Sequence, residues 1–517
     1  MPASIQLKFR KFPKSTYNTT AIRLALLRVS VPLSFLSINP TCSVTLKMYF
    51  RSQIIIPMNP FKFSPQCFSS SFVVVALIWL STAVDGKAQL AIYEFTGESD
   101  GDNQFNNVTS APTGGTFSSF TRTGVGHANG QNLFASRDWS QGTSIDSAKY
   151  VSYNITPAEG NISYLQGTSF GSSRSGTGPA SGLVSLFGNT NHEAIASQSF
   201  SPPSSTTMSN TTFNFPDVIA GEALTVRLTA WGATGSTGTL RFDNVTTTGT
   251  TTNFQANSAN LTLSAGTQVY SDVSSLTLSG GLTGSGGITK IGSNTLNLTG
   301  ASDYSGATTV SQGTLVVGVD SVGSITSNVS VNSGATLAGS GTITGNVNVG
   351  TGGTVAAGNS PGVLTVNGTS TYSEGSIFSW ELNNNLDGDT ADAGDTGTRG
   401  SNYDGLTSTS LSVASGAIFR VVLTDAAKLN DAFWTQTQRW TNIFSVSGTT
   451  MRATTGSLFD TFEVYSGSTN VTVDSAGYGG FTFEGNELVW SAVPEPTSAL
   501  AGMLLGAGLL RRRRNGV

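Results

Sequence analysis

Charge is scarce in this 517-residue chain, where Asp, Glu, Lys and Arg make up 11% of the residues, against about 25% in an ordinary soluble domain. Surface polarity must therefore come from Ser, Thr, Asn and Gly. A helical bundle would need far more Glu, Lys, Ala and Leu, so that architecture is excluded. Cysteine is nearly absent: Cys42 and Cys67 are the only two, and both precede the expected mature start. A mature chain without cysteine has no disulfide scaffold, no Cys-based metal site and no thiol nucleophile. Histidine is equally rare. His127 and His192 stand alone, His192-Glu193 lacks the second His of an HExxH zinc site, and no phosphate-binding P-loop occurs. Proline numbers 16 against 61 Gly. That balance, with long Thr and Val stretches, favours many short strands joined by tight turns. The expected class is all-β.

The formal charge of −4 hides an asymmetry. Residues 1–88 carry ten Lys/Arg and one acid, Asp85, whereas residues 89–510 hold 12 bases and 29 acids. A body this acidic argues against nucleic acid as a partner, which would require a basic face. It suits a solvated extracellular particle.

Residues 72–80 read FVVVALIWL, the length of a signal-peptide core and too short to span a bilayer. Lys62 precedes it and small residues follow, with cleavage expected after Ala88 and a start at Met58. Residues 1–57 are then an upstream extension and residues 58–88 the signal. At the other end, Val493-Pro494-Glu495-Pro496 is followed by a small apolar stretch and by Arg511, Arg512, Arg513 and Arg514. A Pro-Glu-Pro segment resists regular structure and offers extended backbone to a processing enzyme. Four Arg behind an apolar stretch hold that end on the cytoplasmic side. These three parts in this order resemble the PEP-CTERM sorting signal of exported bacterial proteins. The resemblance implies recognition of residues 493–517 by an exosortase-type enzyme, export through the secretion machinery, and transient or permanent membrane attachment through the tail.

Between the signals three regions are expected. In residues 89–250, alternating strands open at QLAIYEF and close at LRFDNV, a spacing that fits a β-sandwich or jelly roll whose first and last strands pair. A Thr-rich linker, including residues 246–252, follows. Residues 251–370 are repetitive: Leu296, Leu315, Leu337 and Val355 recur at intervals of 19, 22 and 18 residues, one coil each of a parallel β-helix. Residues 371–492 form a β-rich cap protecting the open end of that solenoid. Within the repeats, Leu282, Gly286-Gly287, Lys290, Thr295-Leu296, Tyr304-Ser305-Gly306 and Gly313-Thr314-Leu315 resemble the autotransporter-associated β-strand repeat. The resemblance covers residues 280–318. No membrane-barrel pattern follows it, so export is expected to use other machinery.

Chemistry is sparse. Between residues 270 and 368 the charged side chains are Asp272, Lys290, Asp303 and Asp320, too scattered for the grouped carboxylates of a polysaccharide lyase or hydrolase. An enzyme is not expected, and no cofactor is implied. The run Asp387, Asp389, Asp392 and Asp395 is a weak calcium candidate whose spacing is not that of an EF-hand; Asp100 and Asp102 are weaker still. Trp139 and Trp231 are candidates to stack on sugar rings, although core packing is the commoner fate of a sandwich Trp. Ice binding would need regular Thr-x-Thr ladders, and Thr342-Ile343-Thr344 is one element. The expected function is that of an exported surface or matrix protein, structural or adhesive. The alternative is a glycan-binding module at the envelope that contacts extracellular polysaccharide.

Overall fold

A computed structural model describes residues 89–492 apart from 96–103, 106–107, 109–113, 131, 189–193, 254–259, 264–265, 359–360, 387–396, 425–431, 454–456 and 472–478. It also describes one short antiparallel pair, Ile38–Asn39 with Ser43–Val44. Regular structure is strand almost throughout. Among the described residues the one helical element is a single 3₁₀ turn, Ala432–Thr435.

The N-terminal region is a sandwich of two antiparallel sheets. One has seven strands: Ala194–Phe200, Ser181–Phe187, Leu224–Trp231, Tyr150–Pro157, Phe120–Thr123 and Gln104–Phe105 in that order, with Gly115–Phe117 also on Tyr150–Pro157. The other is built on two long strands, Asn161–Arg174 and Leu240–Asn253, paired from Asn161↔Asn253 to Arg174↔Leu240. The opening strand Gln89–Tyr93 lies on Leu240–Asn253, with Tyr93 opposite Val245, so the ends of the sandwich meet as expected. Residues 246–252 are therefore ladder and not linker. Their β-branched side chains suit a pleated, half-buried surface, and Thr247 is 1% exposed inside the sandwich. Gly249 marks a register shift within this ladder, with a positive φ of 149°. A Cβ there would lie 2.2 Å from the Tyr164 carbonyl oxygen, so only glycine lets the two strands approach. Aromatic rings fill the space between the sheets, with Phe120 edge-on to Phe134 at 4.7 Å and Tyr93 against Tyr153 at 5.1 Å.

The solenoid continues the second sheet. Asp217–Ala220 pairs in parallel with Thr267–Tyr270, which in turn carries Ile288–Ile291. Side chains alternate across a strand, so this sheet serves two cores. Val218 and Ala220 face the sandwich interior, while Ile162, Tyr164 and Ile219 join the solenoid core. The sandwich thus extends the ladder of the first coil through Thr267–Tyr270 and packs Ile162, Tyr164 and Ile219 into its core.

Each early coil has three short parallel strands, and in the later coils two of these merge into the longer strands Val363–Tyr372 and Gly405–Val413. The inward column of one face runs Leu276, Leu296, Leu315, Leu337, Val355, Phe378, Phe419, Phe462 in direct register. The repeating Leu/Val positions of the sequence are this column. No break falls at residue 370: Ile377–Leu382, Ile418–Leu423 and Thr461–Ser466 stack in parallel on Thr354–Ala357. The rungs persist, but the connecting segments lengthen and the inward residues change from Leu/Val to Phe. Closure comes from an antiparallel sheet of Gln438–Trp440, Glu487–Ala492 and Gly479–Glu484. Its Trp440, Trp490, Phe481 and Phe483 are buried in the solenoid core.

Candidate functional site

The segments read as sorting motif and basic stop, Val493 to Pro496 and Arg511 to Arg514, lie outside the described residues, as do Asp387, Asp389, Asp392, Asp395, Asp100, Asp102 and His192. His127 is half-buried in Gly126–His127, opposite Ser136. Trp139 is 1% exposed, and its indole N–H donates to the Ser136 carbonyl at 2.9 Å. It is a core residue and not a platform for a sugar ring: its apolar bulk and single donor are both satisfied internally. Trp231 is half-buried at the end of Leu224–Trp231. Among the described residues no group of three His, Cys, Asp or Glu side chains could hold a metal ion.

Three places concentrate polar chemistry. The first is the corner where sandwich meets solenoid. Lys290 occupies an inward position between Val269 and Val310 and is fully buried. Its Nζ donates to the carbonyls of Ile291 at 2.9 Å, Gly292 at 2.7 Å and Gln312 at 3.2 Å. Burial lowers its pKa to about 8, against the opposing pull of Asp272 and Glu222. Glu222, from the sandwich, accepts the backbone N–H groups of Asp272 and Val273 at 2.6 and 3.1 Å. Asp272 accepts from Ser293 N–H and Oγ in the next coil at 2.9 and 2.7 Å. These groups close the corner carbonyls and amides that a bend would leave unpaired. They hold structure.

The second place is a shallow pocket of about 250 Å³ on the solenoid flank, lined by Ala338, Ala356, Gly358, Glu381 and Asp404 among others. Asp404 is 3% exposed, and both its carboxylate oxygens accept backbone N–H groups, from Gly362 and Glu381, at 2.9 Å. Burial raises its pKa well above the usual carboxylate value. Its acceptors are spent on the chain itself. The neighbouring outward column, Thr295, Thr314, Thr336 and Thr354, is in register. Each rung has one Thr, followed two residues on by Asn297, Val316, Ala338 or Ala356. The result is single file and not a Thr-x-Thr array. Thr342 likewise stacks singly on Thr365 and Thr407.

The third place is the outer face of the seven-stranded sheet. Strand alternation turns Thr225, Arg227, Thr229 and Trp231 outward together. Arg227 sits opposite Ser152 on one side and Ser185 on the other. Its guanidinium carbon lies 4.0 Å from the Tyr150 ring centroid and 4.5 Å from that of Phe187. Both distances are within cation–π range. Thr225 donates to the Asn154 side-chain oxygen at 2.9 Å beside it. Arg227, Tyr150 and Phe187 are half-buried. This is the strongest candidate site, and no sequence motif announces it. The signal available was one Arg alternating with apolar residues in ALTVRLTAWG, on a strand next to others bearing Tyr and Phe.

One further pattern is defused by the fold. Residues 167–171 read Gly-Thr-Ser-Phe-Gly, a G-x-S-x-G spacing, but they lie within the extended strand Asn161–Arg174. There Ser169 faces Thr212 and Thr246 across the ladders. A nucleophile elbow needs a sharp strand-to-helix turn.

A family model described as the passenger-associated-transport-repeat matches residues 288–317. These span Ile288–Ile291 to Thr314–Val317 and include Lys290, Leu296, Tyr304 and Leu315. Over this stretch the chain is similar to passenger-like repeat proteins exposed at the cell surface. No curated protein matches the chain. A solved structure titled "CBM4 structure and function" is 15% identical, covering 25% of this chain and 86% of that one, with a TM-score of 0.19. A likeness at that score carries no argument. No helix among the described residues is long and apolar enough to cross a membrane, which leaves strand-built membrane spans unaddressed.

Proposed function

We propose that the chain is an exported surface or extracellular-matrix protein, structural or adhesive in role, that displays its sandwich on a β-helical stalk. The signal at residues 58–88 delivers it to the secretion machinery. An exosortase-type enzyme processes it at Val493-Pro494-Glu495-Pro496, with Arg511 to Arg514 retained on the cytoplasmic side. The supporting observation is that the matched repeat lies inside a continuous parallel ladder from Leu276 to Ser466, with its corner groups Lys290 and Asp272 hydrogen-bonded within the chain. The reading gives the protein no catalytic role and no cofactor. Intact-mass spectrometry with cell fractionation tests it, comparing wild type with Pro494→Ala/Glu495→Ala/Pro496→Ala. The wild type is expected to begin near Gln89, lose its Arg tail and leave the inner membrane, while the variant stays there. An uncut wild type that keeps residues 1–57 in the cytoplasm would end the proposal.

A second reading, binding of extracellular polysaccharide, is favoured by the Arg227 face. The two are compatible, because an adhesive needs a contact surface.

A further inference from the structure

We infer that the outer face of the solenoid's long sheet, from Ile288–Ile291 to Phe444–Val446, binds a neutral, extended β-1,4-linked polysaccharide laid along the stack. This rests on the polysaccharide-binding reading, places the contact on the stalk and names the ligand class.

The sheet carries two outward columns of uncharged polar side chains in direct register. One runs Thr289, Thr309, Ser330, Asn348, Thr371 and Ser412. The other runs Ser324, Thr342, Thr365, Thr407 and Ser445. Every one of these residues is half-buried or exposed. Corner groups such as Lys290 are bonded within the chain, but the columns are not. Among the described residues, Thr309, Ser330, Asn348, Thr371, Thr342 and Thr365 have no side-chain hydrogen-bond partner. Thr407 accepts from the Arg399 guanidinium at 3.0 Å, which leaves its own hydroxyl hydrogen to donate outward.

A shallow cavity of about 150 Å³ opens where the second column ends, lined by Asn367, Thr407, Thr409, Ser445 and Ser447 among others. Its cause is a register shift: Asn367 and Gly368 together oppose Thr409 alone. A bulge of this kind re-aims a side chain and opens the ladder locally.

The chemistry of the face selects its occupant. Neither column holds a charged or aromatic residue. The core of a protein interface is enriched in aromatic residues, Met and Arg and depleted in Ser, the reverse of this composition. Nucleic acid requires a basic face. The body, with 29 acids against 12 bases over residues 89–510, repels a polyanion. A neutral polymer of hydroxyl groups meets none of these objections. Ser and Thr hydroxyls both donate and accept, and so does the Asn348 amide, which is the repertoire of a sugar hydroxyl.

Spacing narrows the class. Neighbouring strands lie about 4.8 Å apart, so both columns repeat at that step. An extended β-1,4-linked chain advances by nearly the same distance per sugar, and successive sugars then meet successive coils. A coiled α-linked chain cannot keep that step. Each contact replaces bonds to water and is weak alone, but contacts in line add through avidity.

Affinity gel electrophoresis of the purified protein tests the inference, with hydroxyethylcellulose as the neutral β-1,4-glucan and with dextran and polygalacturonate as comparisons. Wild type is run beside Thr342→Val/Thr365→Val, Thr309→Val/Thr371→Val and Trp231→Ala, each checked by near-UV circular dichroism. The control is Thr314→Val/Thr336→Val, on a face whose single Thr column is flanked by Val316 and Ala338 and gives way to Ile377. Hydroxyethylcellulose is expected to retard wild type, the control and Trp231→Ala alike, without dependence on salt. Each of the other two double variants should bind roughly tenfold more weakly, the loss expected for two neutral hydrogen bonds. Wild type unretarded by hydroxyethylcellulose, or retarded as strongly by dextran, overturns the inference even where a variant does not fold. So does equal retardation of wild type and both ladder variants. Retardation lost in Trp231→Ala but kept in the ladder variants overturns it too, while leaving the broader glycan reading standing on the sandwich. Salt-sensitive retardation by polygalacturonate alone decides against a neutral ligand.

Discussion

The sandwich and the solenoid bury their apolar surface in different ways. In the sandwich, rings from opposite sheets interlock: Phe120 contacts Phe95, Phe134, Tyr153 and Phe242. In the early solenoid, aliphatic side chains stand in single file, each resting on the equivalent residue of the coil before and after. A coil has no core of its own, so its stability is borrowed from its neighbours. The sandwich can present a face to solvent because its core lies on the other side of the sheet. The solenoid spends its polar groups on closing corners, as Lys290 and Asp272 do. This difference leaves the sandwich with a solvent-facing sheet surface and makes the solenoid an extended stack.

The comparison can be broken most severely by removing the sandwich. A chain of residues 261–492 exposes the edge of Thr267–Tyr270 and the apolar coil interior beneath it. It is expected to aggregate or lose its β signal in circular dichroism and sedimentation. A soluble, folded product would show that the stalk needs no cap. Phe419→Ala removes a fully buried ring that meets Phe378, Phe444, Phe459 and Phe483. It should cost about 3–5 kcal/mol in urea unfolding, whereas Leu315→Ala in the aliphatic file should cost about 2–5 kcal/mol. A smaller loss for Phe419→Ala than for Leu315→Ala would contradict the aromatic packing of the late coils.

How far the sequence carried this picture can be judged from the same residues. Leu296, Leu315, Leu337 and Val355 were readable because a coil of near-constant length repeats its inward position. Phe378, Phe419 and Phe462 continue that column, but long insertions between rungs hide the period, and a change to aromatic residues makes them look like a separate cap. Residues 246–252 looked like linker because Thr is polar, although β-branching makes it a strand former. Lys290 stands in the sequence as one of four scattered charges; only the fold shows four carbonyl groups around its amine. Arg227 carries no motif because its site comes from strands distant in sequence, and cross-strand neighbours cannot be seen in one chain read linearly.

Smaller effects sharpen the account. Lys290 titrates near pH 8 when folded and near its ordinary value when unfolded. Between pH 8 and about pH 10 the unfolded chain therefore holds a proton that the folded chain has released. Stability should rise with pH across that window, seen as a climbing urea midpoint, and the rise should be absent in Lys290→Met. Smallest of all is Arg420→Gln. The pair Arg420–Glu463, at 2.8 Å, is about a quarter exposed on the outer solenoid surface, and its loss should cost less than about 1 kcal/mol in the same unfolding measurement.

The central claim is that the sandwich is the first layer of the solenoid, joined to it through Asp217–Ala220 and Thr267–Tyr270. Hydrogen exchange of residues 89–492 in increasing urea tests it most directly, because Thr267–Tyr270 lies in the ladder between the two regions. The account predicts that amides of 267–270 are slow to exchange and lose protection together with those of 217–220. Free exchange at 267–270 while 217–220 stays protected would contradict it, and the two regions would then be independent domains on a flexible join.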